Sequence, residues 1–217
     1  MTPSITISKI TKALQNPLPG WFAQKQMAPE ARLNLVRNNL IKPNHREGSV
    51  LLLLYPDHTN QLHLVFIRRP VYEGVHSGQI AFPGGKREAG ESRAAAALRE
   101  TQEEIGVPRT NLTLLGSLTP LYIPPSNFMV YPHVAYQPIT PTFNPDPAEV
   151  AEIIEAPLTL LFDDAIKQSE MRYIHRLGNT EVPHYNIFGH QVWGATAMIT
   201  SEFTTILSLT YDKNTSH

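Results

Sequence analysis

Apolar and polar positions divide the chain into stretches with helical spacing and stretches that read as strands. Ile7, Ile10 and Leu14 recur at helical spacing, so residues 4–14 are expected as a short amphipathic helix with Ser4 at its N-cap. The run Asn16-Pro-Leu-Pro-Gly20 breaks it. Leu33, Val36 and Leu40 give a second stripe, expected as a helix over 29–38 with Pro29 in its first turn. The pattern changes near Gly48. Ser49 to Tyr55 reads as a buried strand, 56–60 as a turn and Leu62 to Arg69 as the returning strand of a hairpin. A glycine-punctuated segment over 72–90 precedes the clearest helix, Ser92 to Ile105, which stops at Gly106 with Pro108 just beyond. Leu112 to Ile123 and Phe128 to Gln137 are expected as strands around a Pro124-Pro125 loop. Met171 to Leu177 and His184 to Phe188 are further strands, and Ala195 to Leu207 a closing helix. This mixed order predicts an α/β sandwich with a mixed sheet, in which residues 1–44 form an N-terminal helical extension and 45–217 the main domain.

Composition narrows the function classes. The chain has 217 residues, 18 Lys and Arg against 19 Asp and Glu, a net charge of -1 and 17% charged residues. So low a charge fraction excludes a charged disordered protein. Near-neutrality argues against a nucleic-acid partner bound by neutralising many phosphates. Zero Cys excludes a disulfide scaffold, a thiolate nucleophile and a Cys-based zinc site. Lys9 and Lys12 interrupt the N-terminus, which has no apolar core of signal-peptide length, and the apolar run from Val50 to Tyr55 is too short to span a bilayer. A cytoplasmic protein without a membrane partner is therefore expected. Whether it forms a homodimer is open.

Candidate chemistry lies on the helix over 92–105. At about 100° per residue, Glu100, Glu104 and Glu103 fan across one face, with Ala96 and Ala97 one turn earlier. The small alanines are expected to leave open space above the carboxylates. Ala94, Leu98, Thr101 and Ile105 form the face expected against the sheet. Like charges at i, i+4 repel, and two of the three glutamates sit in the last turn, where the helix dipole disfavours them. Two readings compete. One is a solvated acidic face. The other is a cradle for a hard divalent cation such as Mg²⁺ or Mn²⁺, which takes oxygen ligands and retains waters for a phosphate substrate. Arg99 can neutralise a neighbouring carboxylate bidentately, and Glu91 is its candidate partner.

Spacing favours the second. Gly85, five residues, Glu91, seven residues, then Arg99-Glu100-Thr101-Gln102-Glu103-Glu104-Ile105-Gly106-Val107 resembles the Nudix box, with Thr101 standing where an aliphatic residue is usual. Seven fixed positions at about 6% each over about 200 starts make a chance match rarer than roughly one in a million. The resemblance implies a Nudix-like α/β/α sandwich that hydrolyses a nucleoside diphosphate linked to another group. It further implies Glu100 and Glu104 as metal ligands, Glu103 as a further ligand or base, the Gly85 carbonyl in the metal shell, and Glu91 orienting Arg99 or binding metal through water.

The upstream run His76-Ser-Gly78-Gln-Ile-Ala-Phe82-Pro-Gly-Gly85-Lys86 is similar to the element marking the coenzyme A pyrophosphatase branch, with Gly74 and Pro70 as departures. That implies a coenzyme A-like diphosphate as the small-molecule substrate, with Arg69, His76, Gly78 and Phe82 as candidate contacts. For Arg68 and Arg69 a solvated strand-end pair is the alternative, and for His76 a structural loop histidine. The stretch Pro147 to Pro157 resembles the branch's acidic loop and following helix. It offers Glu149 as a base or extra ligand, or else as an exposed helix-start acid. Val192 to Ala197 resembles its C-terminal strand-to-helix junction, where Thr196 packs or caps. The rival functions are a Nudix hydrolase of ADP-ribose, a nucleotide sugar or a damaged nucleotide, and a non-catalytic Nudix-fold binding module. All four glutamates stand, which argues against the module.

Overall fold

The computed structural model describes residues 3–30, 32–33, 42, 44–73, 76–174 and 178–210. At its centre is β1 (Arg46–Pro56), which runs parallel to β7 (Phe128–Tyr136) from the Arg46–Phe128 pair to Leu54–Tyr136. On its other side β1 pairs antiparallel with β2 (Leu62–Arg68) over Leu54–Pro56 and with β4 (Gly84–Lys86) over Gly48–Val50. β3 (Ile80–Ala81) and β8 (Glu152–Pro157) flank β2, and β5 (Thr113–Ser117) and β6 (Leu121–Ile123) pair with β7. A smaller antiparallel sheet holds β9 (Lys167–Ile174), β10 (Gly178–Ile187) and β11 (His190–Trp193). The helices are α1 (Pro3–Leu14), α2 (Trp21–Gln24), α3 (Arg93–Ile105) and α4 (Gly194–Thr210).

The unbroken apolar run in β1 follows from helices lying on both faces. Leu51, Leu53 and Tyr55 join Val65, Ile67, Ala97 and Ile105 under α3. Leu52 and Leu54 point the other way, into a core shared with Phe66, Ile10, Leu14, Met27, Met198 and Phe203. That second layer contains α1 and α4, so the N-terminal helix and the closing helix complete one core. The mixed sheet and helical layers agree with the fold expected from the sequence.

Several local expectations change. α1 begins at Pro3, so Ser4 lies inside the helix and is not its N-cap. The helix expected over 29–38 falls largely outside the described residues; within them, α2 and a 3₁₀ turn at Lys25–Met27 bury Ala23, Gln24 and Met27. The strand expected over 112–123 is two strands, because Pro120 has no N–H to give a ladder and the Leu118 N–H turns to the Pro132 carbonyl at 2.9 Å. The helix-start acid expected near Glu149 is instead a turn, followed by β8. There buried Ile154 and Ala156 alternate with exposed Glu155, the period of a strand. Two 3₁₀ turns, Leu158–Phe162 and Asp164–Ile166, follow in place of a helix. Among the described residues no helix is long and apolar enough to cross a membrane.

Candidate active site

Local chemistry sets the limits of α3. Ser92 Oγ accepts the Ala95 N–H at 3.1 Å, a side-chain N-cap, and Gly106 closes the helix at φ 73°, a left-handed conformation glycine adopts without penalty. Ala96 and Ala97 are fully buried: they let α3 sit close on the sheet, and the open space expected above the carboxylates is filled by that packing. Thr101 is buried too. Its hydroxyl donates to the Ala97 carbonyl at 2.7 Å, which satisfies it where an aliphatic side chain would need no partner.

The carboxylates divide into two groups. Glu91, Glu100 and Glu103 all meet Arg99. The guanidinium reaches Glu91 Oε1 at 3.0 Å and Oε2 at 3.2 Å, Glu100 Oε1 at 3.0 Å, Glu103 Oε2 at 2.8 Å and the Lys86 carbonyl at 3.2 Å. These contacts, Glu91 first, hold Arg99 charged well above its ordinary range and pull Glu91 below the usual carboxylate range. Glu104 turns inward. It is 1% exposed, accepts the Gly84 N–H at 2.7 Å, and has Arg69 Nη2 at 3.9 Å. Burial outweighs both and pushes Glu104 up to about 8. Glu100 is also raised, by burial first, with the Arg99 guanidinium opposing and the charges of Glu103 and Glu149 adding.

Gly84 and Gly85 make this close approach feasible. A Cβ on Gly85 would lie 2.4 Å from Glu100 Oε2, and one on Gly84, at φ 148°, would lie 2.3 Å from the Ser49 carbonyl oxygen. Among the described residues no three His, Asp or Glu side chains converge tightly enough to surround an ion as they stand. The donors nevertheless suit a hard cation. They are carboxylate and carbonyl oxygens, and Glu104 is a buried carboxyl group whose ionised form burial disfavours more than Arg69 at 3.9 Å offsets.

The remaining candidates separate. Arg69 directly follows β2, with its guanidinium toward Glu104 and 3.4 Å from the Gly84 carbonyl, so the structure places it beside the carboxylates. Arg68 faces away and pairs with Glu152 at 2.8 Å, which also meets His190 at 3.4 Å. His76 and Gly78 adopt φ 76° and 65° in a loop stitched to the end of β2 by Arg69 N–H to Gln79 O at 3.0 Å and Gly78 N–H to Pro70 O at 3.1 Å. His76 Nδ1 also contacts Gln79 Oε1 at 2.9 Å, while Gly74 lies outside the described residues. Phe82 is corrected: it is 2% exposed and stacks on Phe66 at 4.9 Å, so it anchors the loop from within the core and presents no surface to a substrate. Glu149 is exposed, and its charge reaches Glu100 and Glu104. Thr196 donates to the Ile80 carbonyl at 3.0 Å, a packing role.

The fold and this loop-helix-loop define a Nudix hydrolase: the NUDIX domain model matches residues 45–177, and the chain belongs to that family, whose members act on pyrophosphate bonds of nucleoside diphosphate derivatives. Among curated proteins it is similar to the uncharacterized Nudix hydrolase NudL. The Photorhabdus laumondii protein is 35% identical over 73% of this chain and 83% of its own length, and that of Yersinia enterocolitica 32% over 86% and 84%. Among solved structures, the Nudix hydrolase RenU of M. smegmatis superposes with a TM-score of 0.52 at 15% identity, covering 76% of this chain and 86% of that one. The MutT protein of Methanosarcina mazei Go1 gives 0.50 at 14%, covering 79% and 100%. These two likenesses concern the fold.

Proposed function

We propose that this enzyme hydrolyses the diphosphate bridge of coenzyme A or its thioesters, releasing adenosine 3′,5′-diphosphate and 4′-phosphopantetheine or its acyl derivative. The observation that carries the reading is the run from His76 to Lys86. Its sequence resembles the coenzyme A pyrophosphatase element, and Gly84 within it donates its N–H to Glu104 at 2.7 Å, while Arg69, upstream of the run, pairs with the same carboxylate at 3.9 Å.

Glu100, Glu104 and the Gly85 carbonyl are the groups that would hold Mg²⁺ or Mn²⁺, with Glu103 as a further ligand or base. When bound, divalent ions neutralise charge developing on the diphosphate and lower the pKa of the attacking water. The chain's own residues do the positioning. Arg99 pairs with Glu100 and Glu103 and orients them, and Glu91 holds the guanidinium in place. Glu149, exposed beside them, is the candidate to accept the proton of the attacking water or to act as an extra ligand. Arg69 would contribute positive charge to the diphosphate, and His76 and Gly78, in the loop after β2, are the further candidate contacts.

The test is product analysis with Mg²⁺ or Mn²⁺ over a panel of coenzyme A, acyl thioesters, ADP-ribose, nucleotide sugars and oxidised nucleotides. Release of adenosine 3′,5′-diphosphate from coenzyme A at the highest kcat/KM supports the reading. Turnover of another panel member with none of coenzyme A ends it.

A further inference from the structure

Outside the motif, one carboxylate is tied to both ends of the loop that carries Glu91. Glu47 lies on β1, on the face that α3 covers. Its Oε2 meets Arg87 Nε at 2.6 Å, and its Oε1 meets Arg93 Nη2 at 2.7 Å and Tyr131 Oη at 3.3 Å. Its main-chain carbonyl accepts the Arg87 N–H at 3.0 Å. Arg93, the first residue of α3, also stacks on the Tyr131 ring with its guanidinium carbon 3.5 Å from the centroid. The pairings pull Glu47 below the usual carboxylate range, the Arg93 hydrogen bond first.

The contacts continue inward. Arg87 Nη1 donates to the Glu91 carbonyl at 2.7 Å, the Glu88 N–H donates to Glu91 Oε2 at 3.2 Å, and the Glu91 carboxylate holds Arg99. Arg99 in turn holds Glu100 and Glu103. Arg87 opens the loop and Arg93 lies just past its end, two like charges with Glu47 as the anion between them. Without it they repel, and the loop has no polar anchor to β1 other than the Arg87 N–H.

We propose that Glu47 is a positioning residue for the metal-binding carboxylates: by clamping Arg87 and Arg93 it fixes loop 87–92, and through Glu91 and Arg99 the set of Glu100 and Glu103. The proposal rests on the metal-dependent reading above. Glu47 touches no substrate and lies outside the Nudix box. Partners one step removed from metal ligands typically change metal affinity by about 10–100-fold when lost.

The experiment measures Mn²⁺ binding directly, by electron paramagnetic resonance of free Mn²⁺ and by the metal-induced rise in Tm, on wild type, Glu47→Gln and Asp57→Asn. Asp57 is a control that fixes the 57–61 turn through hydrogen bonds of 2.8–2.9 Å. Glu47→Gln is expected to raise the Mn²⁺ Kd by ~10-fold or more. The activation constant for Mn²⁺ should follow, with kcat at saturating metal close to wild type. Asp57→Asn lowers Tm without moving the Mn²⁺ Kd. Should Glu47→Gln not fold, Arg93→Gln, which removes the cation held by Glu47 Oε1, carries the same expectation. An unchanged Mn²⁺ Kd in the folded variant overturns the clamp and leaves the hydrolase reading intact. Intact Mn²⁺ binding by wild type without hydrolysis of coenzyme A overturns the substrate reading alone. No Mn²⁺ binding by wild type overturns both.

Discussion

Arg99 and Glu91 are joined by two hydrogen bonds, Nε to Oε1 at 3.0 Å and Nη2 to Oε2 at 3.2 Å, which latch the loop before α3 onto the middle of that helix. A planar fork makes this contact; an ammonium does not. Arg99→Lys should therefore reduce kcat/KM by ~10–100-fold at saturating metal while the protein stays folded. Steady-state kinetics and circular dichroism check this. Wild-type kcat/KM in Arg99→Lys would show that charge alone suffices.

The two adjacent glycines should fail differently. A Cβ at Gly85 meets the Glu100 carboxylate, the end of a flexible side chain, at 2.4 Å. A Cβ at Gly84 meets the Ser49 carbonyl at 2.3 Å and the Val50 Cα at 2.6 Å, which are backbone, and φ there is 148°. Gly85→Ala is expected to fold with Tm near wild type and lose most hydrolysis. Gly84→Ala should lose stability, on the order of 2–4 kcal/mol. Urea unfolding of both variants decides, and equal stability would contradict the asymmetry.

Glu104 is buried with the Arg69 guanidinium at 3.9 Å and no hydrogen bond to it, so burial disfavours its ionised form. Glu104→Gln keeps an acceptor for the Gly84 N–H and removes the ionisable group that burial strains. Its metal-free Tm is expected to equal or exceed that of wild type, its response to Mg²⁺ to shrink, and hydrolysis to fall by roughly two orders of magnitude or more. Thermal melts with and without Mg²⁺ check it; a marked drop in metal-free Tm would mean that Glu104 is chiefly structural.

Glu202 on α4 is fully buried. It accepts from the Gly20 N–H at 3.1 Å, Gln24 Nε2 at 2.9 Å and Thr119 Oγ1 at 2.6 Å. Glu202→Ala strands those donors and should cost about 3 kcal/mol. It should also render the chain around residues 15–28 sensitive to limited proteolysis, read by mass spectrometry of the fragments. An unaltered cleavage pattern would mean that apolar packing of α1 and α2 alone holds the segment.

His133 supplies a pH dependence. It is buried, with Nδ1 2.9 Å from Ser117 Oγ and Nε2 without a partner, and burial, then the charge of Arg93, lowers its pKa from 6.5. The unfolded chain takes up a proton below about pH 6.5 that the folded chain resists. The contribution is thus fully present above that pH and lost as pH falls toward the depressed folded value. Urea titrations from pH 7.5 to 5 should show a downward slope that flattens in His133→Gln; identical slopes would assign the acid sensitivity elsewhere.

Helix α3 was legible because its signals are local: a capping serine, a glycine stop, and glutamates at spacings that make sense only on one turn-by-turn surface. The hairpin of β1 and β2 was legible from apolar runs around a polar turn. Phe82 was not, because a phenylalanine beside a glycine loop has the same sequence whether it meets a ligand or Phe66. Glu47 was missed since nothing in its neighbourhood announces that Arg87 and Arg93, forty and forty-six residues later, converge on it. The 118–120 break and the strand at 152–157 were partly visible, in Pro120 and in the alternation from Ile154 to Ala156.

The order of residues by itself determined the loop-helix-loop, its oxygen donors and the apolar strand beneath it, because helix caps, spacing and side-chain chemistry act over a few residues. Only the tertiary structure decided that Glu104 is buried while Glu103 is not, that Arg99 gathers three carboxylates, that the first helix completes the core beside α4, and that Glu202 ties down Gly20 and Gln24. Those outcomes depend on which faces meet across the sheet, and burial, ion pairing and charge compensation are properties of that meeting.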